Sequence, residues 1–231
     1  MTVLEINEVS KVYKQKVALQ PFSLKVEKGT VIALCGGNGA GKSTLLQMLA
    51  GLVTPSTGSI LLHKWELAAG RKQYVSHIGY MPDDFTAFDT LSVEEFLNFY
   101  ACFRQVNRER INEWITKLGL VKQKNMKIKQ LSKGMRQRLL MGQACIGDPA
   151  LLLLDEPTNG LDPYWIRMFM NLVNERKEEG GITIFSTHMM DVAAEIADTV
   201  LFLNEGKVAH QFSQIENKEQ MTLQLLRLHR S

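Results

Sequence analysis

The sequence predicts an α/β protein: a parallel sheet covered on both faces, with a β-rich start and an inserted helical stretch. Three observations predict it. Strand-length apolar runs alternate with helical patterns after Pro149. The stretches TVIALC at 30–35 and ALLLL at 150–154 read as strands with both faces buried. Between Asp84 and about Gly147 the pattern turns helical, which places that segment as an insertion in an α/β core.

The elements follow in order. VLEI, VAL and FSLKV, within residues 1–35, are short alternating or apolar runs separated by polar turns. KSTLLQMLAGL has helical spacing and stops at Gly51, ahead of the turn residues Pro55 to Gly58. SILLH and HIGYM are strand-like. LSVEEFLNFYACF opens with Ser92 and Glu95 in capping-box spacing, so a helix starts there. NRERINEWITKLGL and SKGMRQRLLMGQACI are two further helices. The alternation then resumes: strand LLLLD, helix PYWIRMFMNLVNERKEE, strand ITIFST, helix MMDVAAEIA and strand TVLFL. The last segment, EQMTLQLLRLH, is amphipathic and suits packing or a dimer contact. One domain is expected, with a core at 1–83 and 148–212, a helical subdomain at about 84–147 and a tail at 213–231.

Composition narrows the function classes. The 231 residues are 45% hydrophobic and 22% charged, as in a globular protein that needs no disulfide or metal staple. The formal net charge of +3 comes from 27 basic and 24 acidic residues that are interspersed, which does not point to nucleic acid. Cys35, Cys102 and Cys145 form no C-x-x-C pair and read as small buried hydrophobes in a reducing cytosol. MTVLEINEVSKVYK has no apolar core of a signal peptide, and no run approaches the ~18 apolar residues of a membrane span. A cytoplasmic protein is expected, one that can still dock on a membrane protein.

Two motifs carry chemistry. Gly36, Gly41, Lys42 and Ser43 satisfy G-x-x-x-x-G-K-[ST] between a buried strand and a helix start, the context in which that pattern cradles phosphate. Glycines let backbone N–H groups turn toward phosphate oxygens, and the helix N-terminus adds partial positive charge. Lys42 can reach the β- and γ-phosphates, and the Ser43 hydroxyl can bind Mg²⁺. In LLLLDEP, Asp155 and Glu156 end a strand of four leucines. Two adjacent carboxylates beside a buried strand are costly unless something compensates them, and Mg²⁺ would. Asp155 would hold the ion and Glu156 would act as general base on water. A third stretch, LSKGMRQR at 131–138, has Ser132 and Gly134 at a helix start, a second anion nest in the same chain.

With these stretches in place the chain resembles the ATP-binding cassette (ABC) ATPases over nearly its whole length and in the family's order. GGNGAGKST resembles the Walker A loop, LSKGMRQR the signature motif and LLLLDEP the Walker B strand. The resemblance implies a P-loop NTPase (RecA-like) core, an N-terminal antiparallel β subdomain and an inserted helical subdomain. It implies ATP and Mg²⁺ as ligands. Gly36, Gly37, Asn38, Gly39, Ala40, Gly41, Lys42, Ser43 and Thr44 would contact phosphate; Lys42, Glu156 and His188 of FSTHMM would be catalytic. Asp162 of NGLDP matches the acidic position of the family's D-loop. Tyr13 lies where the family stacks an aromatic ring on adenine, although a lone tyrosine in a β-rich stretch suits a core or surface position equally well. Ser43, Asp83 and Asp155 would serve the metal.

The chain departs from the family at three places. Gly37 stands where many members have proline, which loosens the loop. Asp83 of YMPDD replaces a glutamine; a carboxylate can reach Mg²⁺ through water but cannot donate a hydrogen bond. Lys133 and Met135 replace two residues of Leu-Ser-Gly-Gly-Gln. These variants resemble bacterial exporter ATPases for drugs, peptides or antibiotics. In the family two chains pair head to tail, so Ser132 and Gly134 would serve the partner's nucleotide, and a membrane permease would dock beside Asp83 against some of Phe85, Phe88, Phe96, Phe99, Tyr100 and Phe103. Most of those aromatics are expected in the core. The rival reading is a soluble ABC ATPase acting on ribosomes, DNA or cluster assembly.

Overall fold

The computed structural model describes residues 2–83 and 88–230, without the side chains of residues 2 and 230. Strands β1 (Thr2–Tyr13) and β2 (Lys16–Glu27) form a hairpin, and β3 (Val31–Cys35) leads into α1 (Lys42–Leu49). β4 (Thr57–Leu62), β5 (Trp65–Glu66), α2 (Arg71–Ser76) and β6 (Ile78–Met81) follow. Three helices come next: α3 (Val93–Arg104), α4 (Arg108–Lys117) and α5 (Lys133–Cys145). Then β7 (Leu151–Leu154), α6 (Pro163–Glu178), β8 (Ile182–Ser186), α7 (Met190–Ile196), β9 (Thr199–Asn204), β10 (Lys207–Ser213) and α8 (Lys218–Arg230) complete the order.

Two sheets result. The first is antiparallel, in the order β2-β1-β4-β5. The second runs β10-β9-β3-β8-β7-β6, parallel from β9 to β6, with β10 antiparallel on one edge. Strands buried on both faces read as continuous apolar runs, and that is why VIALC and LLLL were visible. Their alternate side chains enter two different cores. Val31, Ala33, Cys35, Leu152 and Leu154 pack with α3 to α7, whereas Ile32, Leu34, Leu151 and Leu153 pack with α1 and the antiparallel sheet. Each buried leucine contributes about 1.5–3 kcal/mol, and together they fix the C-terminal ends of β3, β7 and β8, where the candidate site lies.

The expected helix starts are present. Ser92 accepts from the Glu95 N–H at 3.2 Å and Glu95 accepts from the Ser92 N–H at 2.7 Å. Four elements had no clear pattern. β1 and β2 are single twelve-residue strands whose register shifts break the alternation into fragments. The helix α2 is too short for a period, and β10 is a largely exposed edge strand with little apolar alternation.

Most of the aromatics expected in the core are not there: Phe88 is 37% exposed and Tyr100 is half-buried, and Cys102, also expected to be buried, is exposed. Phe96 is fully buried, but Phe99 is 41% and Phe103 is 72% exposed. They line a groove of about 770 Å³ with Leu52, Val75, Tyr80 and Tyr100. Phe85 lies outside the described residues. Arg138 also differs from a solvated helix residue. It is buried, its guanidinium stacks 3.9 Å from the Trp165 ring centroid, and its Nη1 donates to the Leu118 carbonyl at 2.6 Å.

Candidate active site

The loop between β3 and α1 owes its path to glycines. Gly36 has φ +138°, and a Cβ there would stand 2.1 Å from the Leu203 carbonyl oxygen. Gly41, at φ +105°, caps α1 and lies as close to the Ala18 carbonyl as a Cβ distance of 2.7 Å. Only glycine combines these angles with such close backbone approach. The loop therefore curls tightly, and Lys42 folds back beneath it. Its Nζ donates to the carbonyls of Gly36 at 2.8 Å and Gly37 at 3.1 Å. Burial pulls the Lys42 pKa below its usual value, opposed by the nearby Glu156 and Asp155 carboxylates.

A cavity of about 350 Å³ opens over this loop, lined by Asn38 to Thr44 and closed by Asp83, Glu156 and His188. Tyr13, Lys16 and Ala18 form its outer wall. Tyr13 is 45% exposed, with the Lys11 ammonium 5.0 Å from its ring centroid. The cavity thus brings together one cation at a helix start, two carboxylates and an imidazole.

Asp155 does not line the cavity and is buried, 4% exposed. Its Oδ1 accepts from Ser186 Oγ at 2.6 Å, and Ser186 Oγ accepts the Glu156 N–H at 2.9 Å. Glu156 takes φ +49°, a left-handed conformation uncommon for a side-chain-bearing residue. Its Oε2 accepts the His188 N–H at 3.3 Å. Its Oε1 lies 3.1 Å from His188 Nε2 and, buried, accepts no hydrogen bond among the described residues. Burial raises the Glu156 pKa to about 7, against the pull of Lys42 and the His188 N–H. Burial, then Lys42 and His229, lower the His188 pKa, so the imidazole is neutral near pH 7.

The remaining predicted residues lie elsewhere. Ser132 caps α5, accepting the Met135 N–H at 3.3 Å. Asp162 caps α6, accepting the Trp165 N–H at 3.0 Å. Neither they nor Gly134 line the cavity of their own chain. Sequence reading missed Ser186 and Gln137, which hold Glu156 in place, and Lys16. Ser186 sits two residues before His188 in IFSTH, and Gln137 lies inside LSKGMRQR, so position in a motif was the available signal.

A glycine-rich turn from a central parallel strand into a helix, with a lysine in the turn and carboxylates on the neighbouring strand, defines a P-loop nucleotide hydrolase. The family model described as "ABC transporter" matches residues 19–159. The chain is 33% identical over 223 residues to the lantibiotic transport ATP-binding protein SrtF of Streptococcus pyogenes, covering 95% of each. A solved ATP-binding subunit of an ABC transporter superposes with a TM-score of 0.87 at 26% identity, covering 97% of this chain and 99% of that one. A bacterial ABC transporter cassette solved as a dimer shares the fold, with a TM-score of 0.85 at 24% identity over 91% of this chain and 98% of its own. This chain belongs to the ABC transporter family, as an ATP-binding, ATP-hydrolysing cassette.

Proposed function

We propose that the chain is the ATP-driven subunit of an exporter, pairing with a second cassette on ATP and driving separate membrane subunits. The observation that carries it is the cavity joining Lys42, Glu156 and His188 over the Walker A loop. Phosphate oxygens would take over the Lys42 ammonium from the Gly36 and Gly37 carbonyls, while N–H groups from Asn38 to Thr44 surround them. Oε1 of Glu156, buried and without a donor among the described residues, is the acceptor for the proton of an attacking water. Neutral His188 holds Glu156 through its N–H and faces the γ-phosphate.

The residues present fit Mg²⁺. Among the described residues no group of three or more His, Cys, Asp or Glu side chains could hold a metal by itself. The Ser43 hydroxyl and the Asp83 carboxylate line the cavity, oxygen donors of the kind Mg²⁺ takes together with phosphate and water. Ser43 and Asp155 would hold it, with Asp83 through water. When bound, it would neutralise phosphate charge as the terminal bond breaks.

Ser132 and Gly134 do not line their own cavity, which supports a role toward a partner's nucleotide, with Asp162 near the same junction. A symmetric pair would contain two such shared sites. Among the described residues no helix is long and apolar enough to cross a membrane, so attachment to the inner face of the cell membrane would come through permease subunits. The exposed Phe99 and Phe103 in their groove fit an apolar helix from such a subunit. The export direction rests on the likeness to the lantibiotic transport protein.

Phosphate release from Mg-ATP by the purified chain, lost on chelation of Mg²⁺, tests the hydrolytic half. Phe103→Asp tests the docking half: basal hydrolysis should persist while membrane association in cells is lost. Membrane association equal to wild type would overturn that groove as the permease surface.

A further inference from the structure

Gln137 is a polar residue that α5 buries, leaving it 4% exposed. A buried amide is costly without partners. Its Nε2 donates to the backbone carbonyl of Glu156 at 2.8 Å. That carbonyl also accepts the Asn159 N–H at 3.0 Å, so both of its lone pairs are used. On the other side of the residue, the Glu156 N–H is held by Ser186 Oγ. Glu156 is thus pinned at both flanking peptides in a left-handed conformation, which persists only where its surroundings over-determine it.

We propose that Gln137 is a positioning residue for Glu156, fixing the direction of the carboxylate and tying it to the helix that begins after Ser132. The inference rests on Glu156 being the general base. Gln137 lies five positions beyond Ser132, within the first two turns of a thirteen-residue helix. A helix transmits displacement as a rigid element, so a shift at the Ser132 turn reaches the Glu156 carbonyl through one side chain. Engagement of that turn by a partner's nucleotide therefore bears on the base of the same chain. Each site's chemistry becomes conditional on assembly of the other.

Gln137→Met keeps length and flexibility but removes the donor. Gln137→Glu keeps shape and, when ionised, sets an acceptor against the carbonyl. Both should leave ATP affinity and KM within about threefold of wild type while kcat falls about 10- to 100-fold, the scale of a misplaced catalytic group. In a Glu156→Gln background, Gln137→Met should lower the residual turnover no further, because the group it positions is already gone. Wild-type kcat in Gln137→Met beside an inactive Glu156→Gln overturns this inference alone. So does loss of ATP binding in both Gln137 variants, which would make Gln137 part of the cradle's framework. A Glu156→Gln protein with wild-type turnover overturns the base assignment, and this inference with it.

Discussion

His188 Nε2 lies 3.1 Å from Glu156 Oε1, while the His188 N–H donates to the other carboxylate oxygen at 3.3 Å. The contact joins the C-terminal ends of β7 and β8, so the sheet itself sets the spacing. On the far side of the imidazole stands His229 of α8, with ring centroids 6.0 Å apart. α8 is held on the core by Leu225, which is fully buried. A neutral imidazole beside a carboxylate leaves the proton-accepting capacity on Glu156.

The raised Glu156 pKa has a consequence for stability. A carboxyl with a folded pKa of about 7 binds its proton more tightly in the folded than in the unfolded chain. Its contribution is fully present below the unfolded value and is lost as pH rises through about 7. Glu156→Gln removes the buried charge, so its thermal midpoint should exceed that of wild type at pH 8, with the gain shrinking toward pH 5. Scanning calorimetry of nucleotide-free protein in chelator measures this. A gain that is constant with pH would show that Glu156 does not titrate in that window. The same variant should bind ATP and fail to turn it over, since an amide cannot accept the water's proton.

Lys42→Ala should weaken ATP binding about a thousandfold. An ammonium about 4 Å from a phosphate charge is worth roughly 4 kcal/mol in a partly screened site. A surface ion pair is worth only ~0–1 kcal/mol. Titration calorimetry separates the two, and unchanged affinity would rule out the cradle.

How much of this was legible depended on burial. Leu151 to Leu154 declare a buried strand because every position faces apolar neighbours, and Lys42 declares a cradle because the glycines around it have few other uses. Ser132 was legible as a helix start and caps α5, whereas Asp162 was placed only by its likeness to the family's D-loop and proves to cap α6. Gln137 was not legible, because its role depends on Glu156, 19 residues away, taking a left-handed turn. Phe99 and Phe103 have the same spacing as core aromatics such as Phe96, and sequence cannot tell which face of a helix is left open. The burial of Arg138 was hidden for a similar reason: the indole that covers it comes from α6.

Arg138→Ala should destabilise the fold by about 2–5 kcal/mol. It removes a charged hydrogen bond to a backbone carbonyl, worth about 1.5–3 kcal/mol, and a cation–π stack worth about 0.5–2 kcal/mol. In a chain of this size the thermal midpoint should fall by roughly 5–15 °C. A shift below ~2 °C would show that the guanidinium is solvated after all. Arg138→Lys should recover little, since an ammonium neither stacks flat on Trp165 nor reproduces the planar fork.

The shared-site reading makes the sharpest demand. Lys42→Ala destroys a chain's own cradle; Ser132→Arg blocks the turn at the start of α5 with bulk and charge. Each variant alone should fail to pair on ATP. In a mixed pair, one site would carry both lesions and the other neither, because an intact Walker A loop would meet an intact signature. ATP-dependent dimerisation should therefore return on mixing, read by size-exclusion chromatography or light scattering. If Ser132 acted toward its own chain's nucleotide, every site would keep one lesion and mixing would restore nothing. Arginine is chosen because alanine at 132 would leave the backbone N–H groups free to bind phosphate. Dimerisation is the readout because one intact site can hold two chains together without sustaining turnover. Folding of each variant is checked independently by circular dichroism. A mixture of two folded variants that stays monomeric in ATP would assign Ser132 and Gly134 to helix capping alone.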